Sequence, residues 1–154
     1  MLLIIDLGNT NLTIGLYEGH TLTAHWRLAT DHARMPDEYG MQLRDLLDHN
    51  HIPLHSVEGV CLSSVVPPLT ERIVEACQTY LNIEPLVVTS DLKLNIQILY
   101  EDPRSVGADR IADAVGVQHT YGGPACIIDF GTATTFNALT GAGEYLGGSI
   151  LPGI

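Results

Sequence analysis

The stretch MLLIIDLGNTN, residues 1–11, decides how this chain is read. Leu2 to Ile5 is a short aliphatic run that ends in Asp6, and Gly8, Asn9, Thr10 and Asn11 follow. An apolar run of that length, bounded by turn residues, reads as a buried strand. Beyond the turn Leu12, Ile14 and Leu16 alternate with Thr13, Gly15 and Tyr17, which predicts a second strand paired antiparallel with the first. A tight turn of Gly, Asn and Thr offers backbone N–H groups and short polar side chains around a concavity that suits phosphate oxygens. Asp6 stands beside that turn. Its carboxylate repels phosphate unless a cation lies between them, so Asp6 suggests a Mg2+ site, direct or through water.

The pattern returns late in the chain. Ala125 to Ile128 is again apolar, ends in Asp129, and runs into Phe130, Gly131, Thr132, Ala133, Thr134, Thr135 and Phe136. DLGNTNLTIG and DFGTATTFNA share Asp-x-Gly followed by a mixed strand. One such block is an ordinary β-hairpin. Two matched blocks suggest an internal duplication, each half offering a turn, with a nucleotide between them.

Bulk properties narrow the classes. The 154 residues suffice for a domain with a core, and 45% hydrophobic with 16% charged content is globular rather than disordered. A formal charge of −11 with only seven Lys and Arg argues against binding nucleic acid or an anionic membrane. Any phosphate is then held by backbone donors and metal rather than by a basic cluster. Cys61, Cys77 and Cys126 lie in apolar segments without CxxC spacing and read as reduced core residues of a cytosolic protein. No signal peptide and no bilayer-spanning apolar stretch is visible.

Taken in order, Thr21 to Ala29 predicts a third strand with Trp26 half-buried. Pro36 and Asp37 open a helix that ends near Asn50, with Tyr39, Leu43, Leu46 and Leu47 on one face. Residues 57–66 predict a buried strand, Pro67 and Pro68 a helix start that runs to Leu81, and 85–89 another strand. Ser90 to Arg104 reads as a polar loop and Val106 to Tyr121 as a helix. The order βββαβαβ…αβββ is mixed α/β, a meander joined to parallel strands. Gly147 to Ile154 reads as a glycine-rich loop without a closing element, in a second half that has hairpins but no helices to cover its sheet. That suggests a piece of a longer chain, because an uncovered apolar sheet face is an aggregation liability.

Four constellations are candidates for chemistry. Asp6 with Gly8 to Asn11 is the first. Asp129 with Gly131, Thr132 and Thr134 is the second; Thr132, directly after the glycine, is the better phosphate donor, and Thr135 is explained by β-propensity. Gly107-Ala108-Asp109-Arg110 is the third. Its plain explanation is a helix-start acid and a surface ion pair. Against it, a long polar loop precedes the helix, and such loops carry function. Asp109 could accept the proton of a substrate hydroxyl in phosphoryl transfer, and Arg110 could clamp a carboxylate. The fourth, His49, His51 and His55 around Pro53, reads as solvated loop histidines rather than a metal site.

With those residues in hand, the paired hairpins resemble the actin, Hsp70 and sugar-kinase superfamily. DLGNTN at the start, GADR in mid-chain, DFGTATTF and GGSILPG, in that order and spacing, resemble type III pantothenate kinase over essentially the whole chain. The resemblance implies an α/β fold, a ribonuclease H-like (actin-like ATPase) domain whose mixed sheet is flanked by helices, over residues 1–122, and the truncated start of a second, duplicated domain over 123–154. It implies ATP-dependent phosphorylation of pantothenate, the first step toward coenzyme A. Asp6, Leu7, Gly8, Asn9, Thr10, Asn11, Leu12 and Thr13 would form the first ATP phosphate loop, with Asp6 near Mg2+, and Thr132 would contact ATP phosphate. Tyr100, Gly107, Ala108, Asp109 and Arg110 would bind pantothenate, with Asp109 as the catalytic base. Asp129 would bind the monovalent cation, K+ or NH4+. The family is a cytoplasmic bacterial homodimer with its substrate site at the subunit interface, and neither nucleic acid nor membrane is a partner. Two departures stand out: the family's chain continues well past Ile154, and it usually has an acid where this chain has Asn137, an amide that supplies no charge. Residues 1–154 alone are expected to lack full kinase activity. The alternatives are a non-enzymatic regulator on the same scaffold and another small-molecule kinase of the superfamily.

Overall fold

The computed structural model describes residues 1–153. By compactness the chain forms two units, Met1–Val87 and the part from Val88 on.

In the first unit the two opening strands are β1 (Leu2–Leu7) and β2 (Asn11–Glu18), followed by β3 (Thr21–Ala29), α1 (Pro36–His49), β4 (Gly59–Ser64), α2 (Pro67–Leu81) and the short β5 (Leu86–Val87). The sheet order is β3-β2-β1-β4-β5, antiparallel through the meander and parallel from β1 to β4 and β5. Strand alternation sends Leu3, Ile5 and Leu7 of β1 and Leu12, Ile14 and Leu16 of β2 into one core. Tyr39, Leu43 and Leu47 of α1 and Leu69, Ile73 and Cys77 of α2 close that core at helical spacing. Both helices start on proline, and in α1 the Glu38 carboxylate accepts the Met35 N–H at 2.8 Å. α2 ends at Asn82, whose left-handed backbone (φ 57) returns its N–H to the Cys77 carbonyl. Trp26 is half-buried against the core, as expected. His49, His51 and His55 are exposed.

The second unit contains β6 (Gln97–Ile98), α3 (Ala108–Thr120), β7 (Ala125–Phe130), β8 (Ala133–Leu139) and β9 (Glu144–Pro152), in sheet order β6-β9-β8-β7. The meander β7-β8-β9 repeats the topology of β1-β2-β3. In the register Asp6 pairs with Thr13 and Asp129 with Thr135, so the second turn is one residue tighter than the first. α3 packs on this sheet, with Ile111 and Ala114 against Leu139 and Tyr145.

Several expectations are corrected. β4 and β5 are shorter than residues 57–66 and 85–89, because Val65 and Val66 already lead into α2. The 90–104 loop holds β6, paired parallel with β9, and a turn of 3-10 helix at Pro103–Ser105. The glycine-rich segment from Gly147 is not a loop through Pro152 but part of β9, paired with β8; Ile154 lies outside the described residues. The second sheet is also not bare of helices, since α3 covers one of its faces. Its other face carries exposed apolar side chains: Ile128, Phe130, Leu146 and Leu151. Cys126 is exposed as well, contrary to the reading of all three cysteines as core residues. Ala125 and Ile127 pack toward α3, and the pleat turns Cys126 the other way. Compactness divides the chain at Val87/Val88, whereas the motif repeat places the boundary at 122/123; α3 packs with the second sheet.

Candidate functional site

The first turn joins β1 to β2. Gly8 N–H donates to the Asn11 carbonyl at 2.9 Å, and Thr30 Oγ1 donates to the Gly8 carbonyl at 2.6 Å. A Cβ on Gly8 would meet the Asn11 carbonyl at 3.2 Å, a tight approach that the closed turn makes easiest for glycine. Asn9 and Thr10 are exposed at the tip, Asp6 and Thr13 are exposed beside it, and Leu7 and Leu12 anchor its base in the core. Asp6 has Thr13 on one neighbouring strand and Ser63 on the other, and the Ser63 hydroxyl is buried without a protein hydrogen bond. An oxygen-only donor set of this kind fits Mg2+ with waters or phosphate in its remaining positions.

The second turn is built alike. Gly131 N–H donates to the Ala133 carbonyl at 3.0 Å. Asp129 is exposed, and its Oδ2 lies 3.9 Å from where a Gly131 Cβ would stand, so the carboxylate folds over the turn. Thr132 is exposed there, while Thr134 and Thr135 are buried in β8, in keeping with a structural reading of Thr135. Among the described residues no group of three or more His, Cys, Asp and Glu side chains is gathered for a metal. A cation held at either Asp would need further oxygen ligands from hydroxyls, carbonyls, phosphate or water.

The third cluster lies within the second unit. Gly107 caps α3, and Asp109 Oδ1 accepts the Arg110 backbone N–H at 2.7 Å in the first turn, where the helix dipole favours a carboxylate. Ala108 is buried and Asp109 half-exposed. Arg110 is not the surface ion pair that its position allowed. It is 8% exposed, its Nε donates to Asn137 Oδ1 at 2.6 Å, and its guanidinium carbon stands 5.8 Å from the Tyr145 ring centre. The Tyr145 hydroxyl donates to the same Asn137 oxygen at 2.7 Å, and Asn137 Nδ2 donates to Thr135 Oγ1 at 3.2 Å. Burial pushes the Tyr145 phenol up, against the pull of the Arg110 charge; the negative ends of Asp109 and Tyr100 push it further up. Tyr100 is partly exposed and lies over Gly147 of β9. Tyr100, Asp109 and Arg110 therefore share a neighbourhood with three residues that the sequence did not mark as binding groups: Asn137, Tyr145 and Gly147. The Gly147-Gly148 pair was the available signal for the last of them. Nothing in the alternation of β9 singled out Tyr145.

The family model described as type III pantothenate kinase matches residues 2–154. The chain belongs to the type III pantothenate kinase family. It is similar to proteins named type III pantothenate kinase from Moorella thermoacetica, at 50% identity, and from an Exiguobacterium species, at 47%; each match covers all of this chain and 61% of the relative. The chain thus spans about 61% of the length of the curated relatives it matches. Among solved structures it is similar to a Ppx/GppA phosphatase from Aquifex aeolicus (TM-score 0.58, 12% identity), covering 98% of this chain and 51% of that one. A candidate N-acetylglucosamine kinase from Porphyromonas gingivalis is also similar (TM-score 0.55, 17% identity), over 97% of this chain and 47% of that one. At such identities the likeness is one of fold: α/β, mixed sheet flanked by helices, of the actin-like ATPase kind. GADR and the two Asp-Gly turns thus lie in a chain whose family is shown.

Proposed function

We propose that this pantothenate kinase family member takes part in ATP-dependent phosphorylation of pantothenate to 4'-phosphopantothenate, the first step of coenzyme A biosynthesis. The observation that carries the reading is the cluster at the start of α3, where an accessible carboxylate, Asp109, adjoins a buried guanidinium, Arg110. Asp109 is the base: its carboxylate accepts the proton of the primary hydroxyl as that oxygen attacks the γ-phosphorus of ATP, the bond from that phosphorus to the β,γ-bridging oxygen breaks and ADP leaves. Arg110, with Tyr100, Gly107 and Ala108, holds pantothenate. Asp6 to Thr13 and Thr132 are phosphate-contacting residues within their own turns, supported by the glycine-closed geometry of each. Mg2+ at Asp6 and K+ or NH4+ at Asp129 would supply charge neutralisation of the phosphates.

The wider reading is of a cytoplasmic homodimer with no nucleic-acid or membrane partner. Its supports are the −11 charge, three free cysteines and, among the described residues, no helix long and apolar enough to cross a membrane. The duplicated domain is taken to start at residue 123. The test is calorimetry of pantothenate with this chain, beside an ATP- and K+-dependent phosphorylation assay. Binding of pantothenate supports the reading; saturable phosphorylation of a sugar or of acetate, with no pantothenate binding, overturns it in favour of another kinase of the superfamily.

A further inference from the structure

One face of the first sheet carries a row of polar side chains. Strand alternation turns Leu12 and Ile14 of β2, and Trp26 and Leu28 of β3, toward the core. Thr13 and Arg27, which pair in the register, therefore point to the opposite face. Thr13 also pairs with Asp6 of β1, and Asp6 with Ser63 of β4. Ser63, Asp6, Thr13 and Arg27 thus stand side by side across four strands, and Arg27 supplies the positive charge of the row. Neighbouring strands lie about 4.8 Å apart, so about 10 Å separates the Asp6 and Arg27 backbones, with the short Thr13 between them.

Arg27 is exposed, and among the described residues its guanidinium forms no ion pair and no hydrogen bond. Other arginines of the unit are committed: Arg34 pairs with Asp31, and Arg72 donates to the His32 and Arg34 carbonyls. At the far end of the row Ser63 is 7% exposed, and its buried hydroxyl has no protein partner. Buried hydroxyls are ordinarily bonded. An unused donor at each end of the row, with the first turn's Asp6 and Thr13 between them, suits the oxygens of a ligand. Phosphate beside Asp6 needs a cation, and the chain has seven Lys and Arg against eighteen Asp and Glu. A guanidinium in the same row meets part of that need from the chain itself.

We propose that Arg27 is a binding residue for the ATP phosphates: reaching over Thr13 from β3, its guanidinium contacts the phosphate chain seated at the turn between β1 and β2. This rests on the ATP reading of that turn and deepens it, adding one side-chain cation to the backbone donors and the metal. The planar fork of arginine matches phosphate oxygens two at a time, and such charge-assisted bonds are about twice as strong as neutral ones. The contact selects for the polyanion and is indifferent to the nucleoside.

The test titrates MgATP, magnesium tripolyphosphate and adenosine into the wild-type chain, Arg27→Gln and Arg27→Lys by calorimetry, while NMR follows the Arg27 Nε–H resonance of the wild type. MgATP and tripolyphosphate are expected to shift that resonance, and adenosine to leave it in place. Arg27→Gln is expected to bind MgATP and tripolyphosphate about tenfold or more weakly, with the response to adenosine equal to wild type. Its MgATP affinity is also expected to depend less on salt, since one screened charge is gone. Arg27→Lys, which keeps the charge and loses the fork, is expected to fall between the two. Equal MgATP affinity in wild type and Arg27→Gln overturns the proposal. So does a loss shared by adenosine, which would give Arg27 a part in the fold or at the nucleoside. Denaturant unfolding separates a structural role: lower stability of Arg27→Gln with unchanged MgATP binding would assign the guanidinium to the strands, and the proposal falls. If the wild type binds neither MgATP nor tripolyphosphate, the ATP reading of the turn fails and takes the proposal with it, an outcome distinct from binding that ignores Arg27.

Discussion

Gly147, at φ +105, lies against the Tyr100 ring: a methyl group on Gly147 would come 2.7 Å from Tyr100 Cδ2. Two requirements meet there, a backbone conformation that L side chains avoid and a ring that leaves no room for a Cβ. The strand and the tyrosine ahead of the GADR helix are thereby locked together. Gly147→Ala is expected to destabilise the chain by roughly 1–2 kcal/mol from backbone strain. It is also expected to weaken pantothenate binding, because Tyr100 must move. Denaturant unfolding and calorimetry check the two effects. Unchanged binding at reduced stability would mean that Tyr100 is not a substrate contact.

Asp109 tests the chemistry directly. Asp109→Asn keeps the shape and can still accept the Arg110 backbone N–H through its amide oxygen. It cannot take a proton. In a phosphorylation assay kcat is expected to fall by about 10²–10⁴-fold with little change in KM. Near-normal kcat would sink the base assignment.

The helix pair of the first unit depends on one missing side chain. A Cβ on Gly40 of α1 would stand 2.1 Å from Tyr80 Cδ2 of α2. The Tyr80 hydroxyl donates to Asp37 Oδ1 at 2.9 Å, which anchors the ring over that glycine. Gly40→Ala is expected to cost about 1–3 kcal/mol of unfolding free energy through overpacking, despite the higher helix propensity of alanine. A stabilised variant in urea unfolding would refute the close-packing argument.

The cysteines separate by environment. Burial pushes the Cys77 thiol from its ordinary 9.0 up to about 12, and burial also raises Cys61. Cys126 is exposed. Since the thiolate is the nucleophile, a thiol reagent at pH 8 is expected to label Cys126 first, Cys61 slowly and Cys77 only on unfolding. Mass spectrometry of partly labelled protein reads the order. The sign for stability follows from the same shift. The buried thiol stays protonated while the unfolded one ionises, so the Cys77 contribution is complete below pH 9 and is lost as pH rises from 9 toward 12. Cys77→Ser, carrying a hydroxyl that does not ionise in that range, is expected to flatten this alkaline decline.

Much of the fold was legible because it is written in local periodicity. The alternation of Leu12, Ile14 and Leu16 gave β2, the prolines at 36 and 67 marked two helix starts, and the repeated Asp-x-Gly turns announced two meanders of the same topology. The short strands were less legible. β6 consists of two residues inside a polar loop and exists only because β9 offers it a parallel edge. Cys126 shows a similar limit: in the run Ala125 to Ile128 every residue is apolar or small, so the pleat could have buried either parity.

The sequence by itself determined the α/β class, both Asp-Gly turns and the presence of Asp109 and Arg110 at a helix start, since each is encoded within a few neighbouring residues. Tertiary structure alone decided what Arg110 is: a buried cation on a neutral acceptor instead of a surface ion pair. That choice needs Asn137 and Tyr145, two strands brought beneath α3 by the second meander. Contacts between residues so far apart in the chain leave no period or spacing to read, because hydrogen bonding and desolvation act through space once packing has set the distances.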